Sequence, residues 1–282
     1  MAKKSKATQT NHEWNIDVLA AQSITNFAVE GDNPTNITIT PTVRRGNYCQ
    51  ISTKTIQISG TSQAVVAAGG TNKMGYQLLQ RSKELKRDIE GSLTTNVAKA
   101  AGSSSTARKS AGLPCWLASN VDFLAAGANP TGSPPDGTVA RTDGTAAAVT
   151  EARVKNMLQL VYSSSGDSPD YLLVSPKNKQ NVSAFTGQGT RFTHVDDNTL
   201  MTAFDIYQSD FGDVKVVPDI FLARSKDMFA INPNYISVAY LRPFQTLDLA
   251  RTGDSLQKEL VVEYTLQVSN EKAHGAVYDT LG

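Results

Sequence analysis

The chain has 282 residues, enough to bury a large core as one big domain or two smaller ones. Its 27 basic and 26 acidic residues leave a net charge of +1, which argues against a protein that grips nucleic acid through a basic surface. Cys49 and Cys115 are far apart and the three histidines, His12, His194 and His274, stand alone, so neither a disulfide framework nor a zinc site is expected. No apolar run approaches the ~20 residues needed to span a bilayer, and no signal-peptide core opens the chain. A soluble chain with buried thiols and no membrane partner is the expectation.

Residues 1–11 are polar and basic, with Lys3, Lys4 and Lys6 clustered, and read as an arm. His12 to Leu19 alternates weakly, as a strand would. A polar stretch from Gln22 to Asn36 contains the turn-prone Gly31-Asp32-Asn33-Pro34. Ile37 to Thr40 is an extended run, Arg45-Gly46-Asn47 interrupts it, and Tyr48 to Ile58 continues it. Thr, Gln, Asn and Ser fall on both faces of these strands, so neither face can bury a core. An excursion of this kind over residues 22–58 is marginal alone in water and is expected to lie on a neighbouring molecule. A hairpin folded back on its own domain is the alternative.

The stretch from Gly60 to Gly102 predicts a long helix. Thr61 or Ser62 is its N-cap, Gly69-Gly70-Thr71 breaks it, and no proline follows from Asn72 to Ala101. Leu78, Ser82, Leu85, Ile89, Leu93 and Val97 form one apolar stripe. Lys83, Glu84, Lys86, Arg87 and Glu90 occupy the other faces, Lys86 and Glu90 at pairing distance along the helix. Some 30 helical residues would make a rod of roughly 45 Å. Its basic residues read as a solvated face, and a local binding patch is the sharper alternative.

Beyond the helix, Ala126 to Gly144 reads as an exposed loop rich in Gly, Pro, Thr, Ala and Asp. A second helix is predicted after Thr150, with Val154, Met157, Leu158 and Val161 inward and a stop by Gly166. Tyr171 to Val174 is a buried-type strand, and Pro176 opens a short helix towards Phe185. Gln188 to Asn198 is a polar loop. Strands follow at 203–208, 214–217, 228–231, 236–241, 246–249 and 259–268. In the last, Leu260, Val262, Tyr264, Leu266 and Val268 share one face. The fold class is α+β.

Chemistry finds little support. HExxH, GxSxG, Walker A and strand-following GxGxxG patterns are absent. Gly69-Gly70-Thr71 and Gly187-Gln188-Gly189-Thr190 lack the strand, helix and lysine of a phosphate loop. Asp167 and Asp196-Asp197 read as solvated acids. Cys115 beside Trp116, with His194 or His274 as base, is the arrangement closest to a nucleophile pair, but Pro114-Cys115-Trp116-Leu117 reads as core. No catalytic, cofactor or metal residue is expected.

The order of parts, an arm, a polar β excursion, a beam helix, an α/β middle and a closing long strand, resembles the major capsid proteins of tailed bacteriophages with the Hong Kong 97-type fold. The likeness is carried by His12-Glu13-Trp14, Asp17 to Ala21, Val29-Glu30-Gly31-Asp32, Gly46-Asn47-Tyr48, Gln50-Ile51, Ile58 to Thr61, Gln63-Ala64, Tyr76-Gln77, Lys83 to Glu90, Thr106-Ala107-Arg108, Ala111 to Pro114 and Asn270 to Gly275. It implies an N-terminal arm at 1–11 and an extended loop at 12–59 that drapes over the next subunit. It further implies a peripheral domain at 60–112 and 242–269 and an axial domain at 113–241 and 270–282. Asn26, Val29, Glu30, Asp32, Arg44, Arg45 and Tyr48 would be inter-subunit contacts, and Lys83, Lys86 and Arg87 would face DNA or a neighbouring capsomer.

The function so implied is a homo-oligomeric shell of hexamers and pentamers. It would be assembled in the host cytoplasm around double-stranded DNA that it does not read, with decoration, portal or scaffolding proteins as partners. An encapsulin-like cellular cargo shell and a soluble hydrolase using Cys115 are the alternatives.

Overall fold

The computed structural model describes residues 2–17, 19, 22–33, 36, 38–39, 41–65, 73–124, 126–132, 134–185, 206–222 and 226–281. The chain opens with strands β1 (Lys3–Lys6), β2 (Asn11–Ile16), β3 (Val43–Tyr48) and β4 (Gln50–Ser59), then helices α1 (Gly60–Ala64) and α2 (Lys73–Thr94). The middle holds β5 (Val121–Phe123), α3 (Glu151–Ser165), β6 (Tyr171–Val174), α4 (Pro176–Ser183), β7 (Ile206–Ser209), β8 (Gly212–Pro218) and β9 (Met228–Ile231). It closes with β10 (Ile236–Asp248), β11 (Ser255–Val268) and β12 (Gly275–Tyr278). A four-stranded sheet runs β1-β10-β11-β4, a six-stranded sheet runs β5-β12-β9-β6-β8-β7, and β2 pairs with β3.

β11 is the axis of the first sheet, antiparallel to β10 on one side and to β4 on the other. Leu260, Val262 and Tyr264 pack against Leu85 and Ile89 of α2 on one face. The other face is also buried, and its polar residues are matched. Glu263 accepts from Arg108 (2.5 Å) and Arg242 (2.8 Å), and Thr265 bonds Ser110 at 3.2 Å. Buried polar groups satisfied in this way cost little. β10 is one strand where the sequence pattern predicts two. Irregular register between Tyr240 and Gln245, around Pro243, interrupts the pattern without ending the strand.

The beam helix is shorter than its stripe predicts. α2 has 22 residues, a rod of about 33 Å, and stops at Thr94 instead of Ala101. The Thr94 hydroxyl donates to the Glu90 carbonyl (3.0 Å) and the Thr95 hydroxyl to that of Gly91 (2.5 Å), occupying acceptors of the last turn. Val97 is therefore off the stripe. Its carbonyl accepts from Gly112 N–H (3.0 Å) and the Cys115 thiol (3.1 Å). Ser59 caps α1, in place of Thr61 or Ser62, by accepting from Ser62 N–H. Arg81 pairs with Glu84 at 2.6 Å on the flank of α2.

The polar limb divides in two. β4 does not depend on another molecule: it pairs along its whole length with β11, and Ile56 and Ile58 are buried. Threonine and glutamine occupy its open face while the alternate residues turn towards α2, and one covered face is enough. β3 is anchored too, because buried Asn47 donates to Leu266 O (2.8 Å) and accepts from Ala111 N–H (2.9 Å). What stays outside is narrower than 22–58. Every described residue from Asp17 to Arg44 is exposed. Residues 3–6 of the arm are likewise a strand, parallel to β10, whose lysines suit a sheet edge.

α3 buries Val154, Met157, Leu158 and Val161 and ends at Gly166 with φ 71°. Thr150 takes the N-cap position, but its hydroxyl makes no capping bond. Residues 126–144 form a packed strap instead of a free loop. Gly137 (φ 76°) lies against Trp116 so closely that a Cβ would come within 2.7 Å of the ring. Arg141 is buried, donating to Asp227 (2.7 Å) and Asp279 (3.1 Å) with its guanidinium 4.2 Å from the Tyr278 ring centre. The pattern of small and polar residues concealed this, because one arginine supplies the anchor.

Burial pushes the Asp227 carboxyl up to about 7, against the pull of Arg141. The folded chain therefore keeps this proton where the unfolded chain, near ~3.9, has lost it. The stability from this group is complete below the unfolded value and is lost as pH rises to about 7. Asp227→Asn removes that titration. Its melting temperature should gain on the unsubstituted chain as pH rises from about 5 to about 7.5, and a pH-independent difference would refute the assignment.

Candidate assembly surface

Residues 17–42 leave the body between β2 and β3, where Ile16 pairs with Val43. The segment carries Asp17, Glu30 and Asp32 and no Lys, Arg or His, a net charge of −3. Leu19, Ile24, Phe27, Val29 and Ile39 are 75–96% exposed, a concentration of open apolar side chains in one short segment. A turn bends the segment at its middle. Asp32 N–H donates to Val29 O (3.1 Å), with Gly31 at φ 82°, a conformation that favours glycine.

The predicted contact residues separate accordingly. Asn26, Val29, Glu30 and Asp32 are exposed on this loop. Arg44, Arg45 and Tyr48 belong to β3 and are engaged within the chain. Arg44 pairs with Glu13 (3.4 Å), Arg45 donates to Pro134 O (2.9 Å), and half-buried Tyr48 sits opposite Asn11. On α2, Lys83, Lys86 and Arg87 are exposed, and the Arg87 guanidinium lies over the Phe221 ring at 5.8 Å.

Two grooves flank α2. One, of about 670 Å³, is mostly apolar and lies between α2, β1, β10 and the loop after β8. The other, of about 740 Å³, lies between α2, the start of β4 and residues 107–110. Ile220, 71% exposed, and Phe221 border both. The sequence reading missed Leu19, Ile24, Phe27 and Ile39, and also Ile51, Lys109, Ile220 and Phe221. The signal available was Ile24, Phe27 and Val29 standing in a polar run with no partner stripe.

The Cys115 alternative gains no support from the described residues. Burial pushes the Cys115 thiol up to about 11, and its Sγ–H is donated to Val97 O, so the group is a thiol and a poor nucleophile. Cys49 is likewise buried and raised to about 11. His274 is buried with its pKa lowered to about 4, its Nδ1 accepting from Asn232 N–H (3.3 Å). Asp167 accepts from Asn232 (2.8 Å). His194, Asp196-Asp197, Gly69-Gly70-Thr71 and Gly187 to Thr190 lie outside the described residues. Among the described residues no His/Cys/Asp/Glu cluster has the spacing to hold a metal.

A family model described as SU10 major capsid protein matches residues 1–280. The chain is 33% identical over 99 residues to the major capsid protein of Escherichia phage Phieco32, a match covering 35% of this chain and 28% of that protein. In structure it resembles the capsid subunit of Cyanophage A-1(L), with a TM-score of 0.62 at 14% identity, covering 100% of this chain and 91% of that one. It also resembles the holo-SrpI encapsulin complex of Synechococcus elongatus PCC 7942, with a TM-score of 0.57 at 12% identity over 99% of this chain and 85% of that one.

Proposed function

The chain belongs to the SU10 major capsid protein family, and from that premise we propose that its copies close into the icosahedral head of a tailed phage around double-stranded DNA. It is a major capsid protein with the Hong Kong 97-type fold. Its work is done by interfaces and not by an active site. In this reading hexamers and pentamers form in the host cytoplasm and end as the wall of the virion.

The observation that carries the proposal is the loop at 17–42, which exposes five large apolar side chains and makes no core of its own. With its ends at Ile16 and Val43, a 26-residue loop can reach roughly 40 Å from its base. Exposed apolar surface on that scale marks a contact with another molecule.

The parts take roles from this reading. Residues 12–59 are the extended loop with its base strands, 60–112 and 242–269 the peripheral domain, and 113–241 and 270–282 the axial domain. Asn26, Val29, Glu30 and Asp32 touch the next subunit, while Arg44, Arg45 and Tyr48 fix the angle at which the loop leaves. Lys83, Lys86 and Arg87 face DNA or a neighbouring capsomer. Confined DNA keeps its counterions, so a near-neutral chain suffices. Decoration, portal or scaffolding proteins complete the partners. The likeness to the encapsulin is one of fold, and the family match over residues 1–280 favours the phage head.

Expression alone tests the reading. The chain should elute as capsomers or larger particles and give rings or shells in negative stain. A monodisperse 30.2 kDa monomer at high concentration would overturn it.

A further inference from the structure

Where the strap crosses β2 and β3, a small polar cavity of about 210 Å³ opens. β2 supplies Glu13, β3 supplies Arg44 and Arg45, the segment after α2 supplies Lys99, and the strap supplies Asp136. These charges do not pair off. Glu13 is engaged by Arg44 (3.4 Å) and by the Asn11 amide (2.9 Å). Asp136 is engaged by the N–H (2.9 Å) and the hydroxyl (2.5 Å) of Thr138. Arg45 and Lys99 are left with neutral carbonyls, Pro134 O at 2.9 Å and Gly46 O at 2.7 Å, and with no ion-pair partner among the described residues. Arg45 also keeps a buried Nε–H without a hydrogen-bond partner, a group that calls for an acceptor.

Two cations brought to one partly buried cavity repel each other, and an anion between them turns that cost into binding energy. Burial holds the Lys99 ammonium below the usual lysine value, with Arg45 adding to the push and with Asp136 and Glu13 failing to cancel it. A planar guanidinium beside a mobile ammonium is a donor set suited to a phosphate-like oxyanion. We propose that this cavity is an oxyanion site, in which Arg45 and Lys99 together hold one phosphate-sized anion. The bound anion joins β3 to the segment after α2, and so braces the strand pair from which the 17–42 loop leaves. It needs no second copy of the chain, so its test is independent of the shell reading.

Calorimetric titration of the full chain with inorganic phosphate tests the site, with chloride at equal ionic strength as the blank. Phosphate should give a saturable heat and chloride none. Arg45→Gln and Lys99→Gln should each weaken phosphate binding at least about tenfold, because each removes one charge-assisted hydrogen bond. Glutamine at either position can still donate to the carbonyl that the cation holds, and a melting curve checks that each variant folds. Asp136→Asn should act in the opposite sense and tighten binding by roughly severalfold, since it removes an opposing charge and keeps an acceptor for Thr138. Residues with a structural role alone would show no such change of sign. The site is overturned if phosphate gives no saturable heat, or if binding is unchanged in Arg45→Gln and Lys99→Gln.

Discussion

A chain lacking residues 22–36 is expected to fold as stably as the full chain and to form no closed particles. In the subunit these residues contribute almost nothing. All the described ones are exposed, and their backbone bonds are local, Phe27 N–H to Thr25 O and Asp32 N–H to Val29 O. The deletion shortens the loop between Ile16 and Val43 from 26 to 11 residues, which lowers its closure cost by roughly 0.8 kcal/mol, a slight gain. Assembly is another matter. A stable interface buries about 800 Å² on each partner, and the loop exposes five large apolar side chains among the described residues. Thermal unfolding and negative-stain imaging of the same preparation separate the two effects. Loss of the folded state would place the loop in its own core, and intact shells would remove it from the assembly.

The largest loss of stability is expected from Arg141→Met. The guanidinium joins Asp227, Asp279 and the face of Tyr278 at the junction of the strap with the six-stranded sheet. Its backbone carbonyl accepts from Asn96, just past the end of α2, at 2.8 Å. Removing one partner of a buried pair leaves the others uncompensated and typically costs about 3–5 kcal/mol. For a chain of this size that corresponds to a fall in melting temperature of roughly 10 °C. Replacing Asp227 by Leu as well should recover part of the loss, because it removes one of the two buried carboxyl groups left without the guanidinium. If Arg141→Met melts within about 2 °C of the unsubstituted chain, the cluster is not what holds the strap.

How far the sequence reached can be seen in single elements. Val154, Met157, Leu158 and Val161 predicted α3 with its buried face, and Tyr171 to Val174 predicted β6 to the residue. Period-2 alternation marked β11, and a run of apolar residues marked β9. The capsid family was legible from the order of these parts together with dispersed residue matches, and the family match bears that out. Asn26, Val29, Glu30 and Asp32 lie exposed on the loop, and their part in contacts between copies is a proposal.

Local periodicity and turn chemistry are properties of neighbouring residues, so the sequence by itself determined elements such as α3, β6 and β11, the fold class and the existence of a polar limb. Only the tertiary structure decided where the limb begins. β4 has a polar composition, yet it pairs along its length with β11 and turns one face to α2, while every described residue of 17–42 is exposed. The same holds for the end of α2 at Thr94, the anchoring of the strap by Arg141 and the groove beside β4. Each depends on groups far apart in the chain, and burial of a polar residue is set by what crosses over it, which no window of sequence contains.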